Sequence, residues 1–244
     1  MKVYCEKHGF YEAEVINMFG CEITSPCPEC SKLIEERERQ EEAEIEKLKE
    51  LWRRERMIKA GIEPEYFDAS LDNFKAENES EKKALEACRK LEAGELQKVI
   101  LLGPNGCGKT HLASALAKDL GGCVITVYKL GVYIRSGYNS GRSELETMDE
   151  ILQNNFIGID EVGRTKGSDA EMNWLSYLID KAHVRGIRMA LISNKPLAKR
   201  LPRERQAESL ERYLPNDVIS RLGQRSEFVE IRGRDRRTTA TLVI

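Results

Sequence analysis

Hydrophobic and polar positions divide this chain into three stretches. The first, residues 1–31, carries only short, loosely alternating apolar positions such as Tyr11 to Phe19, which suit a small hairpin. From Ser31 to about Lys59, Leu33, Ile34, Ile45, Leu48, Leu51 and Trp52 are spread thinly among dense Glu, Lys and Arg. Breakers are few and pairs such as Glu35 and Arg39 stand at helical spacing. This stretch predicts one long, mostly solvated helix with a thin apolar stripe, either a spacer or a docking element. Ala60-Gly61-Ile62-Glu63-Pro64-Glu65-Tyr66-Phe67 reads as the connector that ends it. A helix over about 80–93 follows, and then short apolar runs alternate with helical patterns. Strands are expected at 98–102, 123–128, 155–160, 187–193 and 225–232, with a helix from His111 to Leu120. This alternation predicts an α/β domain with a parallel sheet over 60–244. Lys129 to Gln153 reads as two short helices around a glycine-rich turn, Ser136 to Gly141.

Composition narrows the function classes. A chain of 244 residues has room for one α/β domain and a small module. A third of the residues are charged, yet the net charge is −2, so any nucleic-acid contact must come from local patches. No apolar run approaches the roughly 18–20 residues that span a bilayer. No basic stretch leads into an apolar one at the start, so no signal peptide is expected and the cytoplasm is the expected compartment. In such a compartment, seven cysteines point to metal binding or core packing before disulfides.

Four of the metal-binding candidates form two knuckles. Cys5-x-x-His8 and Cys27-x-x-Cys30 are separated by 18 residues, a pattern that fits a tetrahedral Zn²⁺ site. Gly9, Pro26 and Pro28 supply the tight turns. Cys21 is a spare thiol and an alternative to His8 as fourth ligand. A closed four-ligand site is structural, and the metal would stabilise a module too small to hold itself together.

Gly103-Pro104-Asn105-Gly106-Cys107-Gly108-Lys109-Thr110 matches the phosphate-binding loop G-x-x-x-x-G-K-[ST]. A triphosphate needs inward-turned backbone N–H groups, and glycines permit that turn. Lys109 would reach the β- and γ-phosphates, Thr110 would place its hydroxyl on Mg²⁺, and the helix start at His111 adds a favourable field for anions. About fifty residues on, Phe156-Ile157-Gly158-Ile159-Asp160-Glu161 is an apolar strand ending in two carboxylates. Asp160 would hold Mg²⁺ and Glu161 would activate the attacking water. Met189 to Ser193 forms another buried strand, and Asn194 at its end is placed to reach between the γ-phosphate and that water.

These residues, with Val218-Ile219-Ser220-Arg221-Leu222 and the Ala60 to Phe74 connector, resemble the AAA+ family. The resemblance is to bacterial replicative helicase loaders of the DnaC type, phage- and prophage-like in their zinc knuckles, and to their IstB-like relatives. It covers roughly Ala60 to the C-terminus. It implies a three-layer ATPase domain without a C-terminal lid, behind a zinc module (1–31) and a charged helix (32–59). It also implies that Asn194 senses the nucleotide and that Arg221 is a finger acting on ATP held by a neighbouring subunit. Arg236 and Arg237 stand where the lid is missing and would reach either the nucleotide or DNA phosphate. Tyr133, Arg135, Tyr138 and Arg142 are candidates for contact with single-stranded DNA, as are Lys199, Arg200, Arg203 and Arg205. The function implied is an ATP-driven loader. Its N-terminal module would grip a replicative ring helicase while its ATPase domains assemble side by side. A transposition regulator of the IstB-like kind is the alternative.

Overall fold

The computed structural model describes residues 1–18, 21–164 and 167–236. The side chain of Cys21 and all of Phe19 and Arg237 lie outside the described residues. The chain divides into two units, Met1–Glu55 and Arg56–Ile244.

In the first unit, β1 (Lys2–Cys5) pairs with β2 (Gly9–Glu12), and β3 (Val15–Met18) pairs with β4 (Cys21–Thr24), both antiparallel. The single hairpin expected from Tyr11 onward is therefore replaced by two. Tyr11 faces Val3, because the chain already reverses at Gly9, whose φ of 78° suits glycine. Helix α1 (Pro28–Lys59) starts three residues before the expected Ser31. Proline is well suited to a first helical position, where its missing N–H costs nothing. Ion pairs such as Glu50–Arg54 at 2.9 Å and Glu46–Lys49 at 3.7 Å line this helix. Each is exposed and contributes little. Leu33, Ile34, Ile45, Leu48, Leu51 and Trp52 are exposed.

The second unit is built on five parallel strands: β5 (Lys98–Leu102), β6 (Cys123–Thr126), β7 (Phe156–Val162), β8 (Arg188–Ser193) and β9 (Ser226–Glu230). Their order in the sheet is β6-β7-β8-β5-β9. Alternate residues of β5 and β8 enter opposite cores, and both cores are closed by helices. Ile100, Leu102, Met189 and Leu191 pack under α4 (Val127–Asn139), α6 (Asp169–Val184) and α8 (Asn216–Leu222). Val99, Leu101, Ala190 and Ile192 pack under α2 (Glu79–Ala93) and α3 (Lys109–Leu120). Such burial on both faces explains why these strands read as unbroken apolar runs. Two short helices, α5 (Glu144–Ile151) and α7 (Leu210–Tyr213), complete the unit. Strand β6 stops at Thr126, short of the expected 128, because the Thr126 hydroxyl accepts from Lys129 N at 3.1 Å and caps α4.

The connector after α1 is part of this core. Ile62, Leu71 and Phe74 are buried, and Val124 N donates to Ala60 O at 2.8 Å. Lys118 Nζ holds the carbonyls of Phe67 and Ala69, each at 2.6 Å.

At the opposite end of β5 from the phosphate-binding loop lies a buried lysine. Lys98 is 1 % exposed and donates to Gln224 O at 2.9 Å and Gln97 Oε1 at 3.4 Å, with His183 Nδ1 at 3.1 Å. It ties β5 to the end of α6 and to the turn before β9. Burial, followed by the charge of Arg225, pulls its ammonium down to about 8. An unfolded lysine titrates near 10.4, so between these values the unfolded chain binds more protons than the folded one. Stability conferred through Lys98 therefore rises with pH across that window. The urea midpoint is expected to increase between about pH 7.5 and about pH 9.5, and Lys98→Met to flatten that part of the curve.

Candidate functional site

The loop between β5 and α3 wraps a pocket of about 190 Å³ at the carboxyl end of the sheet. Gly106, Gly108, Lys109, Thr110, His111, Asp160, Glu161 and Asn194 line it, along with Asn105, Tyr66 and Arg236. Gly103, Gly106 and Gly108 have φ of 145°, 71° and 96°, a region open mainly to glycine. Each is also pressed by a distant segment. A Cβ on Gly103 would lie 2.4 Å from Ile231 O, one on Gly106 1.7 Å from Asp235 Oδ1, and one on Gly108 2.6 Å from Phe74 Cε2. Cys107 is fully buried beneath the loop.

Lys109 Nζ donates to the carbonyls of Gly103 at 2.9 Å and Pro104 at 2.5 Å, so its ammonium sits inside the loop. Thr110 Oγ1 donates to Asp160 Oδ2 at 2.7 Å. These two side chains, about fifty residues apart in sequence, thus meet as the donor set for one cation requires. Burial raises the Asp160 carboxyl, against the lowering effect of the Thr110 hydroxyl and the Glu161 N–H. A divalent cation there would favour the ionised form.

Glu161 is one residue on but aimed differently. Between Ile159 and Val162 the β7–β8 register slips, and Glu161 has φ of 61°, unusual for any residue but glycine. The bulge turns its side chain out of the sheet's alternation. There Arg164 pairs with its carboxylate. Asn194 Nδ2 donates to Asn105 Oδ1 at 2.6 Å, joining the end of β8 to the phosphate-binding loop. His111 Nε2 lies 3.1 Å from Ser70 O and 3.0 Å from Asn73 Oδ1. Ser70 O can only accept, which assigns the proton to Nε2. Burial lowers the His111 pKa, with Arg236 and Lys118 adding to the effect.

Arg221 is not among the residues lining this pocket. It sits on α8, held by Asp180 at 2.7 Å and Asp217 at 3.3 Å. The α4–α5 hairpin contains its own acids. Tyr133 Oη donates to Glu150 Oε2 at 2.5 Å, Arg142 reaches Glu150 Oε1 at 2.6 Å, and Tyr138 Oη bonds Glu144. Of these four candidates Arg135 is exposed, with no acid partner among the described residues. Arg200 pairs with Glu230 at 3.1 Å and Arg205 with Glu208 at 2.8 Å, whereas Lys199 and Arg203 are exposed. Asn105 as the partner of Asn194 and Arg164 as the partner of Glu161 carried no sequence signal.

In the first unit, Cys5, His8, Cys27 and Cys30 place their ligand atoms within 4.8 Å of one another. Cys5 Sγ lies 3.6 Å from Cys30 Sγ, and His8 Nδ1 lies 3.6 Å from Cys27 Sγ and 3.3 Å from Cys30 Sγ. Zinc bonds of about 2.0–2.3 Å to N and S require edges of about this length in a tetrahedron, so the four fit Zn²⁺. The backbone N–H groups of Lys7 and His8 lower the Cys5 thiol to about 6, while the Cys5 sulfur beside it pushes the Cys30 thiol up to about 11; a bound cation would favour both thiolates. No helix among the described residues is long and apolar enough to cross a membrane.

Residues 40–242 match the family model described as IstB-like ATP-binding protein. The chain is 28% identical over 158 residues to the uncharacterized protein YdaV of Escherichia coli (strain K12), covering 60% of this chain and 63% of that one. It is 29% identical over 135 residues to the replicative helicase loader DnaC of Buchnera aphidicola subsp. Schizaphis graminum (strain Sg), covering 50% and 54%. The matched part thus spans between 54% and 63% of these relatives' own length. A solved structure of the DnaC helicase loader superposes with a TM-score of 0.59 at 22% identity, over 70% of this chain and all of that one. A DnaA bound to AMPPCP and single-stranded DNA gives 0.54 at 20% identity, over 70% of this chain and 51% of that one. Both superpositions carry the fold alone, an α/β arrangement around five parallel strands.

The squeezed glycines give a first test. Gly108→Ala puts a Cβ at positive φ and against Phe74, which should cost about 2 kcal/mol of stability in urea denaturation. Phe74→Leu in the same chain should recover part of that loss.

Proposed function

Because this chain belongs to the family of IstB-like ATP-binding proteins, we propose that it is an AAA+ ATPase that loads a replicative ring helicase onto single-stranded DNA. The observation that carries the ATPase part is the convergence of Lys109, Thr110, Asp160, Glu161 and Asn194 on one pocket. In this reading the loop N–H groups and Lys109 bind the triphosphate. Thr110 and Asp160 would hold Mg²⁺, which when bound would supply charge neutralisation for the phosphoryl group. Glu161 takes a proton from the attacking water, and Asn194 orients that water against the γ-phosphate. Arg221, outside its own chain's pocket, serves the neighbouring subunit's ATP when copies assemble.

The loader part draws on the relatives named as helicase loaders. It also draws on the first unit, where exposed Tyr4, Phe10, Leu48 and Trp52 offer apolar contact. A closed Zn²⁺ site of Cys5, His8, Cys27 and Cys30 would keep that unit folded. Single-stranded DNA would meet Arg135, Lys199 and Arg203. The protein would work in the cytoplasm. A second reading, carried by the IstB-like resemblance, is a transposition regulator with a transposase as partner.

Glu161→Gln should retain ATP while hydrolysis falls by about 10²–10⁴-fold. That variant, loaded with ATP in a host extract, should capture a ring helicase. A transposase in its place would select the second reading, and unchanged hydrolysis would overturn the role of Glu161. Metal analysis should find about one zinc per chain, lost in Cys27→Ser while nucleotide binding persists. Absence of zinc from the wild-type chain would remove the metal from this account.

A further inference from the structure

Helix α1 reverses its charge part-way along. From Glu35 to Glu46 it carries seven glutamates against two arginines, a net −5. From Lys47 to Lys59 it carries six basic residues against two glutamates, a net +4. The helix dipole favours this order only in the first and last turns, and most of these residues lie further in. Among the described residues, the ion pairs along α1 use Glu29, Glu46 and Glu50. Glu35, Glu36, Glu38, Glu41, Glu42 and Glu44 therefore crowd one half of the helix with no ion pair among the described residues to offset their repulsion.

The apolar stripe thickens at the same place. Ile45, Leu48 and Trp52 stand at i, i+3 and i+7, which puts them on one face, with Leu51 beside them. These four are between 46 % and 65 % exposed, and every residue from Lys32 to Lys49 is exposed. Helices in proteins draw most of their stability from a packed apolar face. This one has its apolar residues and its change of sign at a single point, the step from Glu46 to Lys47. A surface that is acidic on one side of a point and basic on the other is complementary to itself after a half-turn about that point.

We propose that α1 pairs antiparallel with α1 of a second copy of this chain, about a two-fold axis between Glu46 and Lys47. In this register Ile45 meets the second copy's Leu48, and the reverse, so four apolar side chains form the centre of the seam. Glu46 faces the second copy's Lys47, and Glu44 faces its Lys49. Further out, the acidic half of each helix lies along the basic half of the other. A parallel pair would instead lay the acidic halves side by side, and charges flanking an apolar seam set its orientation in this way. The pairing is independent of the ATP-binding reading. It covers Leu48 in the free protein, so another partner docking on that face must displace the second copy. Tyr4 and Phe10, on β1 and β2, lie outside the paired stretch.

The test is analytical ultracentrifugation of the full chain without nucleotide, which keeps this association apart from any that ATP drives. The wild type should sediment as a dimer with a Kd on the order of 1–10 μM at low salt, weakening as salt rises. Two double variants then reverse the charges on either side of the axis. One carries Lys47→Glu with Lys49→Glu, and the other carries Glu44→Lys with Glu46→Lys. Each alone sets like charges opposite one another and should weaken pairing by about tenfold or more. Mixed in equal amounts, the two variants face each other with opposite charges and should recover the dimer. Ile45→Asp should give a monomer at any salt. All these positions are exposed, and circular dichroism with thermal melting checks that each variant folds. A monomeric wild type would overturn the proposal, as would a dimer that both double variants leave unchanged. Loss of the dimer in both variants without recovery on mixing would overturn the antiparallel register.

Discussion

The hydrogen bond from Thr110 to the buried Asp160 carboxylate is the joint of this molecule. Thr110 belongs to the first turn of α3 and Asp160 to the end of β7, two strands away from β5. For these side chains to touch, β5, β8 and β7 must lie side by side and in register, which their apolar faces enforce. The bond also places the only hydroxyl of the loop and a carboxylate at one point. A phosphate-binding loop alone is an anion trap, and the added acid makes the same corner receptive to a cation. The raised Asp160 pKa reflects the cost of keeping that acid in a dry position.

From that joint the other groups fall into place through short backbone devices. The slip in register after Ile159 sends Glu161 away from Asp160, so adjacent carboxylates meet different partners, Arg164 and Thr110. Ser193 Oγ donates to Val162 O at 2.6 Å and accepts from Lys195 N at 3.0 Å, which turns the chain so that Asn194 faces the loop. The connector from Ala60 to Phe74 and the segment after β9 close the loop from two other directions. Rigidity thus comes from several thin strips of chain, each anchored in one of the two cores.

Much of this was legible in the sequence because the signals are local. The phosphate-binding loop, the strand before Asp160 and the two Cys/His knuckles are contiguous patterns whose chemistry limits the residue types. The five strands are long apolar runs because both faces are buried, so only their ends shift, as at Thr126. What sequence could not carry were pairings between distant segments. Tyr133 and Arg142 share Glu150 once the turn of the α4–α5 hairpin brings it to both, a pairing that their spacing does not announce. Glu81 looks like one more surface acid of α2 until residues 232–236 cover it. The left-handed Glu161 left no trace, since no glycine marks the bulge.

The three crowded glycines have an evolutionary consequence. Each is confronted by a different remote stretch: Gly103 by Ile231, Gly106 by Asp235 and Gly108 by Phe74. Drift in the connector or in the tail after β9 would therefore be felt first as a change in which side chains the loop tolerates. The loop's sequence is held by its surroundings as much as by phosphate. A graft of this eight-residue loop into another scaffold would carry the motif and leave behind the walls that give it shape.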